Sequence, residues 1–167
     1  KDNALVHSSN SYFLKMDFSN FFNSITPNIF WNFFEETNVK FSGLDRILLS
    51  HLLFWKPSKY QQNLVLSIGA PSSPLISNFC MYKFDVVISE FCKNNNITYS
   101  RYADDLTFST NTANYLSNLP LIVSKLLKEL YGNSMEINLL KTSFSSKKHN
   151  RHITGITITN DGKLSLS

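Results

Sequence analysis

Two stretches of alternating apolar and polar residues, 97–102 and 106–109, are separated only by Ala103-Asp104-Asp105. Such alternation marks half-buried strands, and so short a separation reads as an antiparallel hairpin with two carboxylates at its tip. A third apolar strand, residues 11–16, ends on another carboxylate, Asp17. Neighbouring strand side chains point to opposite faces, so Asp104 and Asp105 can aim at one point only across a tight turn.

Helical patterns surround these strands. Residues 18–25 read as an aromatic turn, after which Thr26-Pro27 opens a helix with Pro at its first position. Residues 29–36 carry Ile29, Phe30, Phe33 and Phe34 at amphipathic spacing, and 43–55 repeat it through Leu44, Ile47, Leu48 and Leu52. A polar loop spans 56–63. A long helix over 75–92 follows Gly69-Ala-Pro-Ser-Ser-Pro74 and stops in Asn94-Asn95-Asn96. Residues 113–131 form a further helical pattern, interrupted by Pro120 and closed by Gly132. Strands are expected over 135–145 and 152–159, with Asn160-Asp161-Gly162 as a hairpin signal before 164–166. Mixed in this order, without internal repeat or linker, the elements predict one α+β domain with an antiparallel sheet packed against helices.

Composition narrows the class. Hydrophobic residues make up 43% of the 167 and charged residues 17%, which excludes disorder. Five Gly and five Pro beside fourteen Phe exclude collagen-like and linker-like chains. The net charge of +4 permits a polyanionic partner without requiring one. Cys80 and Cys92, if on one helix, lie about 18 Å apart, too far to bridge, so a reduced, cytoplasmic protein is expected. No apolar run reaches the roughly 18 residues of a membrane helix, and no signal-peptide pattern opens the chain. The first residue is Lys, directly before an apparent strand, which suggests a piece of a longer protein.

Acidic residues are few, so their placement carries information. Bringing Asp17 within 4 Å of Asp104 would cost about 4 kcal/mol in repulsion at an effective dielectric of 20. A divalent cation turns that repulsion into a binding site. Mg²⁺ needs few protein carboxylates because waters and substrate phosphates fill its shell, and two such ions can drive in-line displacement at phosphorus. The other reading is that these carboxylates cap turns, face solvent, or pair with Arg101.

The ordered string of motifs adds a family resemblance. Arg101-Tyr-Ala-Asp-Asp-Leu-Thr-Phe-Ser109 resembles the catalytic motif of reverse transcriptases, and Asp17-Phe-Ser-Asn-Phe-Phe-Asn-Ser-Ile25 their other aspartate motif. Gly69-Ala-Pro-Ser-Ser-Pro-Leu-Ile-Ser-Asn78 is similar to the segment between them, and Asn138-Leu-Leu-Lys-Thr142 to the motif that follows. Asn3-Ala-Leu-Val-His7 resembles the NAxxH element of bacterial retron enzymes, and Ile153-Thr154-Gly155 their VTG element.

The resemblance implies the palm portion of a retron-type RNA-directed DNA polymerase, lacking most of the fingers and the thumb over residues 1–167. Asp17, Asp104 and Asp105 would form its metal triad, with Asp17 and Asp104 as direct ligands and the Phe18 carbonyl completing a shell. Two Mg²⁺ ions, with Mn²⁺ as a substitute, would serve attack of a primer 3′-hydroxyl on a dNTP. Phe22 would lie beneath the sugar and exclude a 2′-hydroxyl, although Phe21 and Phe22 could equally fill the core. Lys141 would face the triphosphate, and Gly69 would let the backbone approach the nucleotide; their plain alternatives are a surface lysine and a loop glycine. Asn3, His7, Arg151, Thr154 and Gly155 would contact nucleic acid: template RNA, primer or cDNA, and a structured non-coding RNA. His7 could instead be a packed residue. The basic run at 147–152 fits phosphate contacts or a solvated loop.

Two departures stand out. Leu66-Ser67-Ile68 replaces the family's usual Leu-Pro-Gln, and the Ile68 side chain cannot hydrogen-bond. Asn23 stands where Pro is common. The competing readings are a non-catalytic RNA-binding or phage-defence module on the same scaffold and a metal-dependent nuclease.

Overall fold

Burial along one strand divides the molecule into two cores. In the computed structural model, which describes residues 2–35, 37–147, 151–153, 156–159 and 164–166, α1 (Asp2–Leu5) leads into β1 (Tyr12–Asp17). Then come α2 (Phe21–Ser24), α3 (Pro27–Glu35), α4 (Gly43–Leu53), α5 (Ser73–Asn94), β2 (Thr98–Tyr102), β3 (Asp105–Thr110) and α6 (Leu119–Tyr131). A single 3₁₀ turn, Leu139–Lys141, precedes β4 (Ser143–Ser146), β5 (Arg151–Ile153), β6 (Ile156–Ile158) and β7 (Leu164–Leu166).

The first four strands form an antiparallel sheet in the order β2-β3-β1-β4. Leu14 and Met16 of β1 and Leu106 and Phe108 of β3 share the larger core with Met81, Phe84 and Ile88 of α5. Strand alternation sends Phe13 to the opposite face, where it joins Ala4, Ile153, Ile156 and Ile158 in a smaller core. That second core is where the antiparallel β5-β6-β7 sheet adds to the molecule. The expected α+β architecture is therefore present. Cys80 and Cys92 both lie on α5 as buried free thiols, and burial pushes each up to about 12. Among the described residues no helix is long and apolar enough to cross a membrane.

Several local expectations need correction. Pro120 does not interrupt a helix; it lies in the first turn of α6, where its missing N–H has no partner to lose. The expected strand over 135–145 breaks because the Asn138 side chain accepts the Leu140 N–H at 3.2 Å, turning the backbone into the 3₁₀ turn. The stretch 152–159 is two paired strands rather than one, with Ile153 opposite Ile156. The turn between them, and the 160–162 hairpin signal, lie outside the described residues. Within the expected aromatic turn, residues Phe21–Ser24 complete one helical turn. The apolar stripe of α4 is exposed, with Leu44 at 66% and Leu52 at 77%.

The N-terminal segment is fastened to the sheet by a buried polar cluster. His7, with no exposed surface, places Nδ1 2.7 Å from Ser109 Oγ and Nε2 2.7 Å from Ser100 Oγ. Asn10 donates from Nδ2 to Ser109 Oγ at 2.7 Å and to Thr98 Oγ1 at 2.9 Å. A neutral imidazole donates from one nitrogen and accepts at the other, which suits two hydroxyl partners; an imidazolium would force both to accept.

Burial accordingly holds His7 well below its ordinary 6.5, at about 4. The unfolded chain then binds the proton first as pH falls, so the stabilisation is complete above 6.5 and disappears between 6.5 and 4. Urea unfolding should show about 2 kcal/mol less stability from this group at pH 5 than at pH 7. His7→Asn should flatten that difference while lowering stability at neutral pH; an unchanged pH slope would contradict the assignment.

Candidate active site

The pairing of β1 with β3 brings the separated carboxylates together. Asp17 and Asp105 are Cα partners in the register, at a separation of about 4.5–5.5 Å for antiparallel neighbours. Alternation places both on the sheet face away from α5, because Met16 and Leu106 beside them are in the larger core. Asp104 sits in the two-residue turn between the Tyr102–Asp105 pair, and its carbonyl accepts the Phe18 N–H at 3.3 Å. Ala103, the other turn residue, is left-handed with φ 52°, supplying the sharp reversal that puts both acidic residues at one end of the sheet.

The loop after α6 closes the same site. Phe18 bridges Ile137, Ser19 donates to the Glu136 carbonyl at 2.8 Å, and Asn138 donates to the Asp17 carbonyl at 2.7 Å. The 3₁₀ turn then delivers Lys141, whose Nζ lies 3.1 Å from Asp17 Oδ2. Lys141 is held above its ordinary value by this hydrogen bond and by the charge of Asp17, with smaller contributions from Asp104 and Asp105.

Electrostatics report the same crowding. Asp105 is raised chiefly by burial; the Lys15 ammonium opposes this, while Asp104 and Asp17 add to it. Asp17 Oδ1 is buried without a hydrogen-bond donor, and Oδ2 already holds an ammonium. An orphaned carboxylate oxygen among three acidic groups fits a cation. Among the described residues no three Asp, Glu, His or Cys side chains gather closely enough to hold a metal ion, so an ion at Asp17 would need ligands from outside this cluster, as Mg²⁺ takes from water and phosphate.

Other expected site residues divide by location. Phe21 is buried and stacks on Phe18 at 5.2 Å, whereas Phe22 is only partly buried and meets Phe21 edge-on. Gly69 has φ +85° in an exposed turn, a backbone that other residues rarely adopt. Ile68 beside it is 71% exposed.

His7 and Asn3 do not join the carboxylates. Ser109, which holds His7, is about 13 Å along β3 from Asp105. With both ring nitrogens engaged inside the fold, His7 has no atom to offer an RNA, so its expected nucleic-acid contact is replaced by a structural one. The Asn3 Nδ2 is buried without a partner. Arg151 enters β5 by backbone pairing with Ile158, while Thr154 and Gly155 lie outside the described residues. Arg101, a possible partner for the triad, pairs instead with Asp85 of α5.

Sequence reasoning missed Lys15. Its signal was its position two residues before Asp17 in a strand, hence on the same face.

Comparison with known proteins fits this geometry. The family pattern described as reverse transcriptase (RNA-dependent DNA polymerase) matches residues 1–158. The chain is 49% identical over 166 residues to the Retron Ec83 reverse transcriptase of Escherichia coli, covering 99% of this chain and 53% of that protein. It is 30% identical over 160 residues to the Retron Ec86 reverse transcriptase of the same organism, covering 96% and 46%. The chain thus spans about half the length of the curated relatives it matches. In fold, it is similar to a telomerase from Candida albicans solved with a fragment of telomeric RNA, at TM-score 0.66 and 13% identity over 99% of this chain and 33% of that one. An apo telomerase from Candida tropicalis, truncated from its C-terminal domain, gives TM-score 0.62 at 19% identity, covering 99% and 38%. With the carboxylate hairpin in place and most of its length matched by the family pattern, the chain belongs to the reverse transcriptase (RNA-dependent DNA polymerase) family.

Proposed function

We propose that the chain is the palm of a retron-like RNA-directed DNA polymerase that extends a primer 3′-hydroxyl with dNTPs, and that fingers and thumb come from further parts of the same polypeptide. The observation that carries this reading is the register match of Asp17 with Asp105 beside the Asp104 turn, in a chain of this family. Two Mg²⁺ ions, for which Mn²⁺ would substitute, would supply activation of the attacking hydroxyl and stabilisation of the leaving oxygen. Asp17 and Asp104 would hold them with the Phe18 carbonyl, and Asp105 would support from the adjacent register position.

The chain's own residues do the rest by placement and charge. Lys141 neutralises Asp17 and is positioned to follow the negative charge of a triphosphate and its departing pyrophosphate. Its side chain is 60% exposed, so this lysine can change partners at little desolvation cost. Phe22, less buried than Phe21, would present a flat apolar surface to the sugar and reject a 2′-hydroxyl. Gly69 would admit the nucleotide close to the backbone. Template RNA, the growing cDNA and a structured non-coding RNA are the proposed macromolecular partners, with Asn3, Arg151, Thr154 and Gly155 as proposed contacts and the cytoplasm as the compartment.

Three measurements on the full-length polypeptide test the assignment. Changing Asp104 and Asp105 together to Asn should lower Mg²⁺-dependent cDNA synthesis at least about a thousandfold; undiminished synthesis would reject the triad. Phe22→Ala should raise ribonucleotide incorporation relative to deoxynucleotide by about tenfold or more, read from competing single-nucleotide extensions. Ile68→Gln adds a hydrogen-bonding side chain at an exposed position, and should lower the dNTP KM about two- to tenfold, the range of one net hydrogen bond.

A further inference from the structure

Arg101 commits all three guanidinium nitrogens within the protein. Nε donates to Asp85 Oδ1 at 2.9 Å and Oδ2 at 3.2 Å, and Nη2 donates to Asp85 Oδ2 at 2.6 Å and Asn78 Oδ1 at 3.2 Å. Nη1 donates to the carbonyl of Ala103 at 2.9 Å. The Arg101 side chain is only 6% exposed. The Tyr99 hydroxyl donates to Asp85 Oδ1 at 2.7 Å.

This cluster follows from two periodicities. Tyr99 and Arg101 are two residues apart on β2 and share a face; Asn78 and Asp85 are seven apart on α5, close to two full turns. The helix thereby presents a carboxylate and an amide to one guanidinium, which reaches past them to the tip of the hairpin.

A buried ion pair is a poor source of net stability, because desolvation offsets most of the attraction. What the cluster does supply is geometry. Ala103 is left-handed at φ 52°, a conformation disfavoured for residues with a Cβ, and its carbonyl is the one that Arg101 grips. The next residue is Asp104. A rotation of the Ala103 peptide would redirect Asp104 and break the Phe18 N–H bond to its carbonyl.

We propose that Arg101, aligned by Asp85, Tyr99 and Asn78, is a positioning residue that locks the left-handed Ala103 turn and so fixes the direction of the Asp104 carboxylate. What Asp104 then does rests on the polymerase reading above; the locking itself does not. Lysine cannot take the role, since one ammonium cannot lie side-on to a carboxylate while also holding a carbonyl beyond it.

The test uses the full-length polypeptide with Arg101→Lys, which keeps the charge. Three quantities are measured: thermal unfolding in EDTA, Mn²⁺ binding by electron paramagnetic resonance without nucleotide or primer, and kcat with dNTP KM in single-nucleotide extension. The folded variant should bind Mn²⁺ about tenfold more weakly and lose at least about tenfold in kcat, with dNTP KM within about twofold. A folded variant with wild-type Mn²⁺ affinity and kcat overturns the proposal, as does a loss fully accounted for by a smaller folded fraction. If Arg101→Lys fails to fold, Asp85→Asn, nearly identical in size, is held to the same outcomes. If the wild-type protein extends no primer, the polymerase reading fails while Mn²⁺ affinity still decides the locking role.

Discussion

The antiparallel pairing of β1 with β3 is the constraint on which the site depends. A shift of one residue in that register would send Asp17 toward α5 and leave Met16 among charges. The register is held from below by Leu14, Met16, Leu106 and Phe108 packed against α5, and no polar group of the site has to enforce it. Hydrophobic burial on one face thereby sets the address of every carboxylate on the other. The repulsion among those carboxylates is tolerated because the larger core outweighs it, and because Lys141 and Lys15 soften it.

The opposite face of the sheet is used twice. At the end where β1 finishes it carries Asp17 and Asp105; further along β3 it carries Ser109 under His7. The two regions need different physics. Around His7 both ring nitrogens have partners and burial keeps the imidazole neutral. Around Asp17 one buried oxygen lacks a donor, and the other is held by Lys141, whose side chain is 60% exposed. The contrast separates a polar cluster that fastens the chain from one that is open to exchange.

Much of this was legible in the sequence because strands and long helices leave periodic traces. The hairpin at Asp104-Asp105, the strand ending at Asp17 and the helix through Cys80 and Cys92 all follow from period 2 or period 3.6. The sequence could not reveal what only tertiary distance defines. Arg101 meets Asp85 across sixteen residues, and His7 reaches Ser109 across 102. Local chemistry misled in two places: Pro120 begins a helix instead of breaking one, and Asn138 bends a strand-like stretch by capping its own backbone. Phe21 and Phe22 could be told apart only once α2 turned one of them inward.

Helix α4 has a different footing from the other long helices. No residue on it is fully buried; Leu49 and Leu53 are half-covered, Trp31 reaches Ser50 through one 2.9 Å bond, and Arg46 lies 5.2 Å above the Trp31 ring. Its amide hydrogens should consequently exchange with solvent faster than those of α5 or α6, because opening it sacrifices little packing. Covering its leucines would slow that exchange first, so this helix would report on burial of that face.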